Sequence, residues 1–259
     1  MSTVIYPSPI FGPVHSRRLG VSLGINLMPA DGKICTFDCI YCECGFNADH
    51  RPRLHRPTRE EVREKLEQQL VKMVGEGRLP DVLTFAGNGE PTAHPDFKAI
   101  IEDTIQLRNR HCPEARVSVL SNATLAAKPS VREALLMVDN NILKLDTVNA
   151  EYIWRVNAPT GHYDVGEVVE ALKSYHGHVI IQTMFMKGRD MHGVSVDNTG
   201  EEYVGPWIEA VKAIAPQSVM VYTIDRETPD QALLKATHEE LDAIVARVKA
   251  CGIPASASY

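Results

Sequence analysis

No apolar run in these 259 residues is long enough to span a bilayer, and no secretory hydrophobic region marks the N-terminus. A membrane role is therefore not expected, and the expected location is the cytoplasm. Cysteine is scarce. Six in so long a chain, three of them clustered, suggest metal binding in a reducing compartment rather than a disulfide framework. A second cysteine pair is missing, because Cys112 and Cys251 stand far apart. The usual structural zinc site, commonly built from two separated ligand pairs, is therefore not legible. Positive charge is not in excess either: the formal net charge of −6 gives no global electrostatic reason to bind nucleic acid. No linker or shift of composition marks a second domain, so residues 1–259 are expected to form one. With 44% apolar and 23% charged residues the composition is that of an ordinary globular chain, long enough for one sizeable core.

What the chain does have is Cys35-Thr36-Phe37-Asp38-Cys39-Ile40-Tyr41-Cys42, three cysteines within eight residues on a loop after an apolar stretch. Thiolates select zinc, copper(I) or iron–sulfur. Three of them leave one iron of a [4Fe–4S] cube without a protein ligand, which suits a cluster that binds a substrate or cofactor. The C-x3-C-x2-C run, with Tyr41 just before the third cysteine, resembles the radical S-adenosylmethionine (SAM) enzymes. The resemblance implies that Cys35, Cys39 and Cys42 hold a [4Fe–4S] cluster whose open iron chelates SAM. It also implies that the cluster's electron, drawn from an external donor such as flavodoxin or ferredoxin, splits SAM into methionine and a 5′-deoxyadenosyl radical. Cys44 is either a fourth ligand, which would close the cluster to SAM, or plain packing.

In chain order, residues 1–28 form a turn-rich extension ending in a strand over 21–28, and the cluster loop covers 33–56. Thr58 to Glu61 is a capping box that opens a helix with Val62, Leu66, Leu70 and Met73 on one face. Apolar strands are then expected over 81–86, 116–120, 142–145, 178–186 and 218–224. Helices open near Pro95, Ser130 and Asp164, around Trp207, and at a second capping box from Thr237 to Glu240. The last residues, 253–259, read as a short strand or tail. Near-continuous apolar strands alternating with helices indicate an α/β protein with a covered parallel sheet. Six or so units point to a barrel, whole or incomplete; a doubly wound open sheet has the same periodicity. The radical SAM family's partial (β/α)6 barrel fits this order throughout.

Polar residues punctuate the C-terminal ends of the strands, where barrel enzymes keep their chemistry. Gly87-Asn88-Gly89-Glu90-Pro91 follows the strand over 81–86, and its glycines let backbone approach a ligand closely. It looks like the family's Gly-Gly-Glu-Pro element, which holds the amino group of SAM, with Asn88 in place of a glycine. By the same resemblance Ser121 and Asn122 contribute to the SAM pocket, and Asp146 bonds the ribose hydroxyls. Lys144 and Asp146 share one face of their strand and need partners. Lys144 would meet SAM's carboxylate, or form an ion pair with Asp146 or Glu90. Gln182 would contact adenine or ribose, or bond backbone; Met184 and Met186 read as core. Tyr222, Asp225 and Arg226 are the substrate-side candidates, with a surface Asp–Arg pair as the plainer alternative.

Two wider features bear on the substrate. Four arginines and two histidines crowd His50 to Arg59, a run that could meet a phosphate, a carboxylate or RNA, or simply be solvated. Further, Gly12 to Gly24, the cysteine loop, Gly87 to Thr92 and Tyr222 to Arg226 together resemble a radical SAM branch related to the tRNA wyosine-base synthases. Those carry a second cluster on additional N-terminal cysteines, and this chain has none before Cys35. The expected activity is therefore hydrogen abstraction from an anionic small molecule. Modification of a tRNA base is the alternative among enzymes, and a non-enzymatic iron–sulfur electron carrier or metal-binding module is the alternative of another class.

Overall fold

The computed structural model describes residues 3–16 and 20–259, so Arg17, Arg18 and Leu19 of the N-terminal motif lie outside the described residues. The chain opens with an antiparallel pair, β1 (Ile10–Ser16) and β2 (Gly20–Ile25). There follow α1 (Arg59–Gly75), β3 (Val82–Phe85), α2 (Phe97–His111), β4 (Arg116–Ser121), α3 (Pro129–Leu135) and β5 (Asn140–Lys144). Next come α4 (Ala150–Val156), α5 (Val165–Lys173), β6 (Ile180–Met184), β7 (Met186–Gly188) and α6 (Glu201–Ile214). The chain ends with β8 (Ser218–Tyr222), β9 (Leu233–Lys235), α7 (His238–Ala250) and β10 (Ala255–Ser258). The main sheet runs β1-β2-β3-β4-β5-β6-β8-β10, parallel from β2 onward, while β7 and β9 form a separate antiparallel pair. β1 and β10 are its two edges, so the sheet is open. It is the partial barrel that the motif order implied.

Both capping boxes form. Thr58 accepts from Glu61 N–H at the start of α1, and Thr237 does the same with Glu240 at α7. Alternate strand residues separate two interiors. Leu23, Ile25, Leu83, Phe85, Val117, Val119 and Leu143 face the helices in one large buried core. Their neighbours face the inside of the curl, and it is these that line the cavities described below. Burial of each large core side chain is worth about 1.5–3 kcal/mol, so the helix-facing layer is the main source of stability.

Several expectations need correction. The single strand over 21–28 is β2 alone, ending at Ile25, and the turn-rich segment before it contains β1. Pro13 concealed that strand: proline cannot donate to a ladder, yet it is tolerated on a sheet edge, where β1 lies. The strand expected over 178–186 stops at Met184, and Met186 restarts in the β7–β9 pair. α4 went unread because seven residues give little helical period.

Candidate active site

The cluster loop has no regular structure of its own, and side chains hold it. Asn47 bonds the backbone of Cys35 through both ends of its amide, at 3.0 and 3.3 Å, and reaches the Phe37 carbonyl at 3.1 Å. Asp38 accepts from Asn47 N–H at 2.8 Å and from Lys33 Nζ at 3.3 Å. Lys33 is 1% exposed at its side chain, and its ammonium also donates to the Gly45 carbonyl at 2.5 Å. From outside, the end of α4 clamps the loop, with Ile40 N–H on Val156 O at 3.0 Å and Asp38 N–H on Asn157 O at 2.9 Å.

Gly89 shows why a glycine stands there. Ile34, on the way into the cysteine run, lies so close that a Cβ on Gly89 would fall 1.8 Å from Ile34 O, and φ is +135°. Ile34 N–H donates to Asn88 O at 3.0 Å, and Glu90 N–H to Ile34 O at 3.2 Å. The turn thus holds the cluster loop against β3. The Asn88 side chain is engaged within the chain. Its amide is taken up by Tyr6 N–H at 2.7 Å and by the carbonyls of Tyr6 and Pro29, both at 2.9 Å, so its side chain fixes the N-terminal segment.

A cavity of about 370 Å³ is lined by Cys35, Cys39 and Cys42 together with Tyr41, Gly89, Glu90, Asn122, Lys144, Gln182, Tyr222, Asp225 and Arg226. Glu90 is buried and accepts four hydrogen bonds. Its Oε1 takes Thr92 N–H at 3.0 Å, the Thr92 hydroxyl at 2.6 Å and the Ser121 hydroxyl at 2.8 Å; Oε2 takes Asn122 N–H at 2.7 Å. Burial raises the carboxyl above its ordinary range, and those donors pull it part of the way back. Each carboxylate oxygen has two lone pairs, so Oε2 keeps an acceptor position for an ammonium. Ser121 therefore acts through Glu90.

Lys144 stands opposite. Its ammonium donates to Tyr222 OH at 2.6 Å and lies 3.6 Å from Asp146 Oδ1, the ion pair weighed as the plainer alternative. Burial disfavours its charge, but Asp146 and then Tyr222 more than offset that and hold it above the usual lysine value. Asp146 is not among the residues that line the cavity and is bonded through both oxygens. Its Oδ1 accepts from Met184 N–H at 2.9 Å, and its Oδ2 from Asn157 Nδ2 at 2.8 Å and from the Tyr41 hydroxyl. Asn157, which no motif signalled, also donates to Tyr41 OH at 2.9 Å and faces Cys39 Sγ at 3.6 Å.

Each cysteine sulfur has its own donors. Asn122 Nδ2 lies 3.6 Å from Cys35 Sγ, and Asn157 Nδ2 the same distance from Cys39 Sγ. The Cys44 thiol, and then Lys33, hold Cys42 down to about 6 against burial, while burial pushes Cys39 up to about 11 and Cys35 higher still. The Cys44 proton has two acceptors in reach, the Cys42 sulfur and the Gly87 carbonyl at 3.6 Å. Cys44 thus stands as a hydrogen-bond donor beside Cys42. Among the described residues no three Cys, His, Asp or Glu side chains gather tightly enough for one metal ion. Thiolates on a [4Fe–4S] cube sit on different irons, and bonds to its sulfurs tune its potential, so spaced thiols with individual donors fit a cluster.

The substrate-side candidates are also at this cavity, though paired. Arg226 Nη1 donates to Glu43 Oε2 at 2.5 Å and to Tyr6 OH at 2.7 Å; Asp225 lies 3.8 Å from Lys235. Burial and Glu43 raise Tyr6 to about 12. The basic run divides. Arg59 forms a two-bond pair with Asp103 at 2.6 and 2.9 Å, and Arg56 reaches Ala93 O at 3.2 Å, while Arg51 and Arg53 are exposed. Part of that charge is structural.

Three cysteines line the open mouth of a half-closed barrel, an arrangement that fits a cluster, and comparison with known proteins names the family. The model of the radical SAM superfamily matches residues 31–197. The chain belongs to the radical SAM superfamily, whose enzymes use a [4Fe–4S] cluster and SAM. It is 32% identical over 199 residues to a UPF0026 protein of Methanocaldococcus jannaschii, a match covering 74% of this chain and 58% of that protein. It is 29% identical over 238 residues to a protein named GTPase Obg from Brachyspira hyodysenteriae, covering 90% of this chain and 32% of that one. The chain thus spans about a third of one curated relative and under two thirds of the other. A radical SAM methyltransferase from Sphaerobacter thermophilus has the same fold, with a TM-score of 0.66 at 14% identity over 92% of this chain and 66% of that structure. Among the described residues no helix is long and apolar enough to cross a membrane.

Proposed function

We propose that this chain cleaves SAM reductively and abstracts a hydrogen atom from an anionic small molecule. When bound, a reduced [4Fe–4S] cluster supplies the electron that splits SAM into methionine and a 5′-deoxyadenosyl radical. The observation that carries the reading is one cavity whose wall joins Cys35, Cys39 and Cys42 to Glu90, Asn122 and Lys144. The three cysteines hold the cluster. Glu90, kept in place by Ser121 and Thr92, accepts from the SAM ammonium, and Lys144 meets its carboxylate. Tyr41, Gln182 and the Asn122 amide border the nucleoside, and Asp146 positions Tyr41 and Lys144 from behind. The densely bonded side of the cavity holds SAM so that its 5′ carbon stands beside the substrate C–H bond.

Arg226, on the same cavity, supports an acid as substrate, since its fork pairs with carboxylates. Tyr222 and Asp225 stand beside it. The resemblance to tRNA wyosine-base synthases makes a tRNA base the second reading, but capture of Arg59 by Asp103 and the chain's net negative charge favour the small molecule. The reductant is an external donor such as flavodoxin or ferredoxin. Six free thiols suit the cytoplasm. The test is anaerobic reconstitution with iron and sulfide, followed by optical and EPR spectra with and without SAM and assay of 5′-deoxyadenosine after reduction. A cluster spectrum that SAM perturbs, with 5′-deoxyadenosine formed, is expected. A cluster indifferent to SAM would sink the proposal.

A further inference from the structure

Below the cysteine cavity lies a second one, of about 310 Å³. The strand alternation fixes their relation. On β5, Ile142 lines the lower cavity and Lys144, two residues on, the upper; on β8 the same holds for Met220 and Tyr222. Leu120 and Gln182 line both. The lower cavity is therefore one side-chain layer deeper in the barrel. Barrel interiors are ordinarily filled there by bulky branched residues. Here β2 and β3 present Ser22, Gly24, Thr84 and the following Ala86, all small. The Phe11 ring folds across Gly24, where a Cβ would fall 2.2 Å from the ring, and packs against Tyr6 at a tilt of 37°, with ring centroids 4.7 Å apart. Tyr6, Glu43 and Arg226, bonded to one another, close the seam above it.

We propose that this hollow is the substrate chamber, and that the substrate is an acid with an apolar body of one ring or a short branched chain. The inference rests on the SAM-cleaving reading above and adds the substrate class. Apolar and aromatic walls at Phe11, Leu120, Ile142 and Met220 favour an apolar body. The Ser22 and Thr84 hydroxyls, 2.8 Å apart, bond each other, and the other polar side chains on the lining are Tyr6, His15, Glu43, Gln182, Asp225 and Arg226. The acid group meets Arg226 by taking the place of Glu43. That pair is half-exposed, with side chains 58% and 38% accessible, so one carboxylate can replace another with little loss. The exchange frees the seam, and the body then lies in the lower cavity with its nearest C–H at the Leu120–Gln182 layer, facing the cysteines.

Calorimetric titration of 4-phenylbutyrate into the reconstituted, unreduced protein with SAM tests this. It is expected to bind at least tenfold more tightly than butyrate and than 4-phenylbutyramide. Ala86→Leu, which fills the hollow, should weaken phenylbutyrate at least tenfold while iron content and melting temperature stay at wild-type values. Met220→Ala, which enlarges the hollow, should tighten 4-(1-naphthyl)butyrate relative to phenylbutyrate, and it keeps the test decisive if Ala86→Leu fails to fold. No binding of phenylbutyrate, equal affinity in a folded Ala86→Leu protein, or no naphthyl preference in Met220→Ala overturns the chamber. Equal binding of acid and amide overturns the role of Arg226, and salt-sensitive displacement of the probe by tRNA overturns the small-molecule class. A protein that forms 5′-deoxyadenosine but binds no probe loses only the chamber. One that binds the probe but never cleaves SAM loses the parent reading.

Discussion

Two walls face each other across the cysteine cavity, and they are built differently. The wall contributed by residues 33–157 is buried and densely bonded: Glu90 is 1% exposed with four donors on one carboxylate, and Asp146 is held from three sides. The wall after β8 is open, and its one cation at the rim, Arg226, is 58% exposed at its side chain and held by Glu43 and Tyr6. A buried, fully satisfied network fixes positions at the expense of adaptability. An exposed ion pair does the reverse. The first wall is suited to a cofactor that is always the same, the second to a molecule that must arrive and leave. Variants that separate the two should divide sharply by wall.

The largest effect is expected at the three cysteines proposed to hold the cluster. Replacing Cys35, Cys39 or Cys42 by Ala should abolish a stable cluster in each case, because two thiolates cannot hold the cube. Cys44→Ala should retain it, since Cys44 lies behind Cys42 as a donor. Iron and acid-labile sulfide per chain decide this, and loss of the cluster from Cys44→Ala would return Cys44 to the ligand set.

Next is the residue that ties the dense wall together. Asn157→Ala removes the amide shared by Tyr41, Asp146 and Cys39, leaving a buried carboxylate short of a donor. The expected destabilisation is about 1–3 kcal/mol, read from denaturant unfolding of the cluster-free chain. A change below about 0.5 kcal/mol would mean that the network tolerates the gap, and the rigid-wall account would lose its support.

How much of this wall could be read beforehand divides on distance along the chain. The three cysteines, the Gly89-Glu90-Pro91 turn and the shared face of Lys144 and Asp146 are local patterns visible in the sequence, and the family resemblance supplied the roles proposed for the first two. The capping boxes at Thr58 and Thr237 are equally local, and so the helices around them were legible. Asn157 has no such mark: it ends a seven-residue helix and acts on groups 11, 116 and 118 residues away. Lys33 looked like any loop lysine, although it is buried under the cysteines. The bonds of Asp146 to Tyr41, Asn157 and Met184 were not legible, because period-two alternation gives a face and not what lies in front of it. The hollow under Phe11 depends on a strand that proline hid, paired to a glycine whose role appears only when the ring lies over it.

Lys33 offers a smaller, electrical test. Its ammonium is beside Cys42 and the other two sulfurs, which together with Asp38 keep it protonated despite burial, to about 12. Lys33→Met keeps much of the volume and removes the charge, so the oxidised cluster is relatively favoured. Its reduction potential should fall on the order of 60 mV, one tenfold change in a one-electron equilibrium. Lys33→Arg should recover part of that fall if the loop accepts the larger group. EPR-monitored redox titration measures both, and an unchanged potential in Lys33→Met would confine Lys33 to holding the loop.

The smallest effect on the fold, and the most telling for the open wall, is expected at Arg226. Its pair with Glu43 is exposed enough that solvent screens most of it, so Arg226→Ala should change unfolding stability by no more than about 0–1 kcal/mol. Iron content should not move, because no cluster ligand touches the arginine. Turnover of an acidic substrate should nevertheless fall steeply, by raised KM if the guanidinium only binds, and by lowered kcat as well if it also sets the distance from the reacting C–H to the 5′ carbon. Arg226→Lys separates charge from shape: a lysine restores a point charge but not a planar fork, so recovery by Lys would show that charge suffices. Glu43→Gln works from the other side. It removes the competing carboxylate while leaving the arginine, and should lower KM for an acid, since nothing charged then has to be displaced. A raised KM in Glu43→Gln would mean that the glutamate orients Arg226 for the substrate and is not its rival. That result would turn the open wall into a second preorganised one, and the contrast between the two sides would disappear.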